Sequence, residues 1–519
     1  MQSKSHKAVC RHEKPPNEIM KDIGNLAKSV SLVFIGTVLG QALGLLGELI
    51  IIRSVAPDVL GRLGLAYAVV STLGTIVLFG VPSGVTRYLS TDDNQNQTGI
   101  LPSGYVITLL SSSILALLLF IFRAEISSIA GDTDIGRILV FFLPYLLVLP
   151  IARISFAGLR SDHRTKAAVI SKWVGPRIVA LPLLIIAIYL GQSETGVILY
   201  WVMIPATASI LSLWFLRTSF KLSEVSTPTQ EEIRKLWRYS WPLAVSVSLT
   251  ILLTRLDILM LSLFVDSTSI GYYRSIQPLR QVTTLVSASF GFLFLPLATK
   301  YYESHNIVQL DKLYSTSTKW IATLTFPFIL VFALFSNDVI RVFFGAEYTP
   351  ASLTLSILVG GLFFRSLVGL DTDLLKAINR TKIELVCAVV GVISNILLNY
   401  LLIPRFGIEG AALATIGGFF IYNLTEVLII YAVIGIHPFK MNNLKPLIPS
   451  MVFAVLTHQF LISYRLNIFY LILIGISYTL IQLLALVFTN SLDESDLLLI
   501  QKFESRIDYK IPVVRSFID

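Results

Sequence analysis

The sequence predicts an all-α integral membrane protein with about fourteen transmembrane helices, and three observations predict it. Of its 519 residues, 54% are hydrophobic and 14% charged, and the mean hydropathy is +0.75, a balance that suits lipid as the solvent. The apolar residues gather into runs that can cross a hydrocarbon core of about 30 Å at a rise of about 1.5 Å per residue. Between those runs no polar stretch approaches the roughly 100 residues of a soluble domain, so the chain reads as one membrane-embedded unit.

The first 28 residues carry Lys4, Lys7, Arg11, Lys14, Lys21 and Lys28. The apolar run that follows exceeds the about 7 to 15 residues of a secretory signal core, so residues 1–28 read as a cytoplasmic tail before an uncleaved first helix. Runs at 29–52, 60–88, 101–122, 135–156, 167–190 and 196–216 form a first six-helix lobe, residues 29–216. A polar cytoplasmic linker, 217–240, comes next. Runs at 241–265, 270–297, 318–335, 350–370, 385–403 and 410–434 form a second lobe, residues 241–434. Two C-terminal helices, 444–461 and 468–488, occupy residues 444–488, and 489–519 is a cytoplasmic tail. Pro82, Pro176, Pro182, Pro278 and Pro296 interrupt long runs and predict kinks, because proline removes a backbone donor.

Orientation follows from lysine and arginine in the short loops. With the N-terminus inside, inner segments carry 27 basic residues and outer loops 8, which places both termini in the cytoplasm of a multi-pass plasma-membrane protein. The excess of 41 basic over 32 acidic residues therefore reflects topology and gives no reason to invoke nucleic acid. The sequons at Asn96 and Asn379 fall in inner loops, away from glycosylation. The two lobes also read as copies. Leu159, Arg160, Arg164-Thr165-Lys166 and Val174-Gly175 recur 216 residues later as Leu375, Lys376, Arg380-Thr381-Lys382 and Val390-Gly391. Six helices separate them, so the lobes form a parallel pseudo-repeat about the membrane normal.

Of the 41 basic residues, the 6 counted to neither side are assigned to the interior of the runs, where ionisable groups are costly and usually face an interior cavity. Arg177, Arg255 and Arg280 lie about 15 to 21 Å into their helices by rise per residue, near the midplane. These three are the primary candidates for a cationic cavity that binds phosphate or pyrophosphate oxygens through paired hydrogen bonds. Arg153, Lys172 and Arg365, closer to the inner face, and Arg53, at the outer end of the first helix, are secondary candidates. The competing reading of the primary three is an internal ion pair. Asp257 and Arg255 point about 200° apart on their helix, so Asp257 is expected to pair with another helix. Glu48, Asp257 and Glu426 are candidate ion-coupling groups. Asn395 and Asn399 share a helix face and read as interhelical hydrogen bonders. Cys10 and Cys387 offer no disulfide or metal spacing, and no phosphate-loop motif occurs; neither a metal, a cofactor nor a catalytic residue is expected.

Several segments carry a family resemblance: Arg53-Ser-Val-Ala-Pro57-Asp-Val-Leu-Gly61, Arg255-Leu-Asp257-Ile-Leu-Met260 followed by Ile270-Gly271-Tyr272-Tyr273, Phe344-Gly345-Ala-Glu347-Tyr348, and Leu402-Ile-Pro404-Arg405-Phe406-Gly407-Ile-Glu409-Gly410-Ala-Ala412. In order and spacing they resemble the polysaccharide-transporter branch of the flippase superfamily that also contains the multidrug and toxin extrusion proteins. The resemblance spans residues 29–434. It implies two six-helix lobes around a cavity that opens to one side and then the other, with no covalent chemistry. The implied substrate is a polyprenyl-linked sugar or oligosaccharide, received at the cytoplasmic face and released outside for surface polysaccharide or glycoprotein synthesis. Glycosyltransferases are candidate protein partners. A cation-coupled drug exporter of the sister branch is the first alternative, although the deep charges here are mostly basic. A membrane scaffold for glycosyltransferases is a second, and it lacks a long cytoplasmic domain. A peptidoglycan-precursor flippase is a narrower variant of the main reading.

Overall fold

The computed structural model describes residues 16–90, 99–162, 164–218, 227–493 and 496. In chain order they form α1 (Pro16–Ser54), α2 (Pro57–Ile76), α3 (Val81–Leu89), α4 (Ile100–Ile121), α5 (Arg123–Ile129), α6 (Asp134–Ser161), α7 (Thr165–Val169), a π-helical turn (Ile170–Val174), α8 (Gly175–Tyr189) and α9 (Ser193–Arg217). The second half comprises α10 (Gln230–Leu261), α11 (Ser267–Ser275), α12 (Gln277–Glu303), α13 (Ile307–Leu334), α14 (Ser336–Phe343), a 3-10 turn (Ala346–Ala351), α15 (Ser352–Val368), α16 (Asp371–Ala377), α17 (Thr381–Ile434), α18 (Met441–Leu444), α19 (Leu447–Leu461) and α20 (Ile468–Phe488). No strand occurs among the described residues. Eleven helical stretches among them are long and apolar enough to cross a membrane, or twelve when the bent α10 is taken as one span. One of these, α17, holds 54 residues, more than twice what a crossing requires. It reverses at Gly407, whose φ of 56° only glycine adopts readily, three residues after Pro404.

Three runs that hydropathy reads as continuous are broken. The run 60–88 divides into α2 and α3 at Phe79 and Gly80, both with positive φ, ahead of Pro82 in the first turn of α3. The run 167–190 contains the π turn just before Pro176, where the missing proline N–H leaves the preceding turn free to widen. The run 270–297 breaks at Ile276, before Pro278. At both lobe starts the helices reach beyond the apolar residues. The first helix begins at Pro16, inside the expected 1–28 tail, and α10 begins at Gln230, inside the expected 217–240 linker. Residues 1–15, 219–226 and 497–519 lie outside the described residues, as does the Asn96 sequon. Asn379 sits with φ of 58° in the turn before α17.

A reciprocal cap starts α10: Thr229 Oγ1 accepts from the Glu232 N–H, and Glu232 Oε2 accepts from the Thr229 N–H at 2.8 Å. The free oxygen of the same carboxylate accepts from the Gly99 N–H at 3.1 Å, so the cap also fastens α10 to the start of α4. Nearby, Phe79 packs edge-on against Trp237 and Arg87 stacks over Tyr239 at 4.4 Å. The first half of α10 thus closes the end of the first half of the chain that is expected to face inward. Among the long helices α13 is the most enclosed, whereas α19 and α20 lie on its outside and turn apolar side chains such as Ile448, Phe460, Phe469 and Phe488 outward.

The chain after α20 folds back onto α13. Lys319, 2% exposed, donates to Asp496 Oδ2 at 2.5 Å and to the Ser491 carbonyl at 2.8 Å, and Trp320 Nε1 donates to Asp496 Oδ1 at 2.8 Å. Burial raises the Asp496 carboxyl above its ordinary range, while the Lys319 ammonium pulls it the other way.

Candidate substrate site and gate

The two halves of the chain meet most closely where α2 crosses α11, at the end of the bundle that holds the expected outer loops. The crossing is backbone against backbone. A β-carbon on Gly61 would lie 1.7 Å from the Ser267 carbonyl oxygen, and one on Gly271 would lie 1.8 Å from that of Pro57. Small residues permit such an approach between membrane helices. Polar contacts ring the crossing. Asp132, from the α5–α6 loop, accepts from Arg62 Nε at 2.8 Å and from Ser267 Oγ at 2.7 Å, tying the first half to the second. Burial works to raise the Asp132 carboxyl, but these hydrogen bonds outweigh it and leave the group below its usual range. Tyr348 donates to the Val55 carbonyl at 2.8 Å, and Arg53 donates to the carbonyls of Val342 and Phe343. Arg53 is therefore an element of this closure.

Below the crossing, Glu48 of α1 takes a hydrogen bond from Arg274 of α11 at 2.8 Å and another from Trp201 Nε1 at 3.2 Å. This ion pair joins the two halves, with the side chains 11% and 21% exposed. Arg255 of α10 donates to Ser71 of α2 and lies over the Tyr67 ring at 5.8 Å, so it too spans the halves. Arg177 packs against Gly44 of α1 and donates to the Trp173 carbonyl at 2.7 Å. Its buried Nε has no hydrogen-bond partner among the described residues.

Arg280 is ion-paired with Asp257 at 3.6 Å, the two side chains 11% and 4% exposed. Asp257 also accepts from the Tyr273 hydroxyl at 2.6 Å, so its partners sit on α11 and α12, as the angular argument requires. Arg280 and Arg365 lie over the same ring, Phe419, at 5.8 and 5.5 Å. Arg365 and Arg153 are exposed and make no ion pair among the described residues. Lys172 lies over Phe156 and Trp173 at 4.7 and 4.8 Å and feels the charges of Arg153 and Arg160. Glu426 is fully buried, held by Thr372 Oγ1 at 2.8 Å. Asn395 and Asn399 are buried and hydrogen-bonded to each other at 3.0 Å, with Asn395 also donating to the Ala414 carbonyl. The arginines expected to lie deepest are thus the ones with neighbours committed to them, whereas Arg153 and Arg365 are exposed.

The two halves of the chain thus meet backbone to backbone at the α2–α11 crossing, while Arg153 and Arg365 are exposed within long apolar helices. Residues 26–302, more than half of its length, match the polysaccharide biosynthesis protein family. The chain belongs to that family. As a member it is a multi-pass membrane protein, and residues 242–401 also match the MatE family. It is 23% identical over 401 residues, 75% of this chain and 80% of the relative, to the probable low-salt glycan biosynthesis flippase Agl15 of Haloferax volcanii. To the capsular polysaccharide biosynthesis protein CapF of Staphylococcus aureus it is 24% identical over 392 residues, 75% of this chain and 95% of the relative. In fold it is similar to the lipid II flippase MurJ in its inward closed conformation, with a TM-score of 0.69 at 18% identity, over 87% of this chain and 97% of that one.

Two polar residues central to this family member's architecture escaped the sequence reading. Arg274 is counted with the outer-loop cations and Lys319 with the inner-loop ones, because each lies near the start of an apolar run. Both are buried ion-pair donors. Their only local signal is position, within one turn of a run's edge, and their partners are 226 and 177 residues away.

Proposed function

We propose that this polysaccharide biosynthesis family member is an alternating-access flippase. Its substrate is a sugar or oligosaccharide on polyprenyl phosphate or pyrophosphate, moved from the cytoplasmic to the outer face of the plasma membrane. The carrying observation is the state of the basic residues inside the spans. Arg274 and Arg280 are neutralised by Glu48 and Asp257, whereas Arg153 and Arg365 are exposed without ion pairs among the described residues. An exposed guanidinium in an apolar helix is costly in hydrocarbon, which supports a polar cavity over a side chain that snorkels to the inner face. Arg153 and Lys172 from the first lobe and Arg365 from the second then supply charge for a phosphate, with Arg177, Arg255 and Arg280 as a deeper, structurally engaged tier. The names of the relatives agree with a glycan-linked substrate. A drug exporter for cations fits weakly, since such a cavity would expose acids in place of these arginines. The chain works as a carrier with no covalent step, both termini on the cytoplasmic side, and glycosyltransferases are the partners that would deliver its substrate.

The test is flipping of a fluorescent polyprenyl-pyrophosphate-linked sugar in proteoliposomes. Arg153→Ala and Arg365→Ala each remove a charge-assisted contact of about 1.5 to 3 kcal/mol, which lowers apparent affinity roughly 10- to 150-fold while insertion is unchanged. The lysine replacements recover part of it, because charge returns without the planar fork. Wild-type flipping by both alanine variants at wild-type abundance would refute the cationic site.

A further inference from the structure

Where the turn from α13 into α14 faces the loop from α19 into α20, a cavity gathers charge that the carrier reading does not use. Its volume is about 370 Å³, within the roughly 300 to 1,000 Å³ of small-molecule sites. Ser336, Asp338 and Arg341 line one wall, and His458, Tyr464 and Arg465 line the other. The walls are pinned together. Arg341 Nη2 donates to Asp338 and to the Leu466 carbonyl at 3.2 Å, and Asp338 Oδ1 accepts from the Leu466 N–H at 3.3 Å. That lock uses one nitrogen of Arg341, whose Nε and Nη1 take no partner among the described residues. Arg465 is exposed and makes neither an ion pair nor a hydrogen bond among them. His458 packs edge-on against Phe335 at 5.1 Å, and its buried Nδ1 has no partner among the described residues. Asp338 is the one acid lining the cavity, so the two arginines leave a surplus of one positive charge.

The place of the cavity says what kind of molecule carries the matching charge. It lies where α19 ends at Leu461 and α20 begins at Ile468. Around it Phe460, Tyr464, Phe469 and Tyr470 are exposed, and aromatic side chains collect at the level of lipid headgroups. Farther along the same two helices Val452, Leu456, Ile472 and Leu473 are exposed as well, an apolar surface against which an acyl chain can lie. A fitting ligand therefore carries about one negative charge, offers oxygens to forked donors and is joined to an apolar tail. We propose that this cavity binds the phosphodiester headgroup of an anionic phospholipid in the leaflet on that side of the membrane. Arg465 and the uncommitted edge of Arg341 hold the phosphate oxygens, as guanidinium groups do. An oxygen seated there also supplies an acceptor for the Nδ1–H of His458, whose lack of a partner is otherwise costly. A pyrophosphate brings more negative charge than the surplus balances, so the site favours the diester. Through α14, whose Val342 and Phe343 carbonyls accept from Arg53, it adjoins the end of the bundle where the two halves meet. The lipid site does not rest on the substrate reading.

Photo-crosslinking of the full chain in detergent with defined lipid tests this. The probe is phosphatidylglycerol with a diazirine at the head of one acyl chain, its adducts mapped by peptide mass spectrometry. Adducts should fall on residues 334–341 and 452–465, and unlabelled phosphatidylglycerol should compete for them better than phosphatidylcholine of the same chains. At sub-saturating probe, Arg465→Gln should lower this labelling about tenfold, as loss of one charge-assisted contact predicts, and Arg465→Glu should abolish it. His458→Phe, which keeps the packing on Phe335, should weaken it severalfold. Arg137→Gln, at an exposed arginine in the first turn of α6, should leave it unchanged. Full labelling in both Arg465 variants overturns the proposal. Equal competition by phosphatidylcholine does so too, because it marks boundary lipid only. Displacement by inorganic phosphate would assign the cavity to a free anion, and stronger displacement by polyprenyl pyrophosphate than by phosphatidylglycerol would assign it to the carrier lipid; either result overturns the phospholipid. If the lipid is retained as expected while no labelled saccharide is flipped, the lipid site stands and the substrate reading falls.

Discussion

Adding one methyl group at the α2–α11 crossing tests the gate most directly. In Gly271→Ala the new β-carbon would sit 1.8 Å from the Pro57 carbonyl oxygen and 2.6 Å from its carbon. Both neighbours are backbone, so no side chain can swing away. Restoring an ordinary carbon–oxygen contact near 3.3 Å requires the helices to part by roughly 1.5 Å, and gaps of 0.5 to 1 Å already forfeit a quarter to a half of each dispersion contact. The Asp132–Ser267 hydrogen bond at 2.7 Å and the Arg274–Glu48 pair at 2.8 Å cannot both survive that shift. Losing one charge-assisted hydrogen bond costs about 1.5 to 3 kcal/mol, which moves the closed-to-open ratio by roughly 10- to 150-fold. Electron paramagnetic resonance between labels at Gln192 and Glu347 should show the long-distance population rising in Gly271→Ala, and equally in Gly61→Ala. A control at Gly360, where a β-carbon meets nothing within 4 Å, should leave the distribution unchanged. An unchanged distribution in Gly271→Ala, with the protein folded, would show that the crossing is a fixed joint and not a gate.

Asp132 gives a pH signature. Its carboxyl lies below its ordinary range in the closed state, so its contribution is full above the unperturbed value of about 3.9 and is lost as the pH falls through the lowered one. Asp132→Asn should abolish that acid loosening and favour opening roughly fivefold at neutral pH, about 1 kcal/mol for a part-exposed pair, as read by the same labels. For the C-terminal clasp, Lys319→Met strands Asp496 and should cost about 3 to 5 kcal/mol, seen as a lower melting temperature in detergent. The double variant Lys319→Met with Asp496→Leu should recover most of it, and no recovery would mean that the clasp is not an isolated pair. Glu48→Gln should weaken closure while leaving the Phe419-stacked arginines in place, so gate distance changes and substrate affinity does not.

Hydropathy made the long helices legible because it measures preference for lipid over water, and every span must satisfy that whichever way it faces. It is blind to which face packs inward, and so it missed Arg274 and Lys319, whose residues adjoin runs but whose side chains enter the core. Depth along a helix singles out Arg177, Arg255 and Arg280. It could not tell that Asp257 of α10 reaches Arg280 on another helix, because pairing across helices leaves no trace in local spacing. Proline positions anticipate the breaks near Pro82, Pro176 and Pro278, and the reversal at Gly407 falls in the gap between the runs 385–403 and 410–434. Asp371 draws no notice, since an acid next to a loop reads as solvated until its burial is seen.

The attachment of α10 to the first lobe has a consequence for how the chain is made. Glu232, Trp237 and Tyr239 complete contacts with Gly99, Phe79 and Arg87, all of which leave the ribosome more than a hundred residues earlier. Domains tend to fold as units in the order of synthesis, yet here the first lobe's inner end stays uncovered until the opening turns of the second lobe emerge. A chain divided near residue 222 into separately expressed halves would strand that cover on the wrong fragment. Division after the first half of α10, by contrast, would let an amino-terminal piece finish its own surface before meeting its partner, and co-expression yields from the two cuts should differ accordingly.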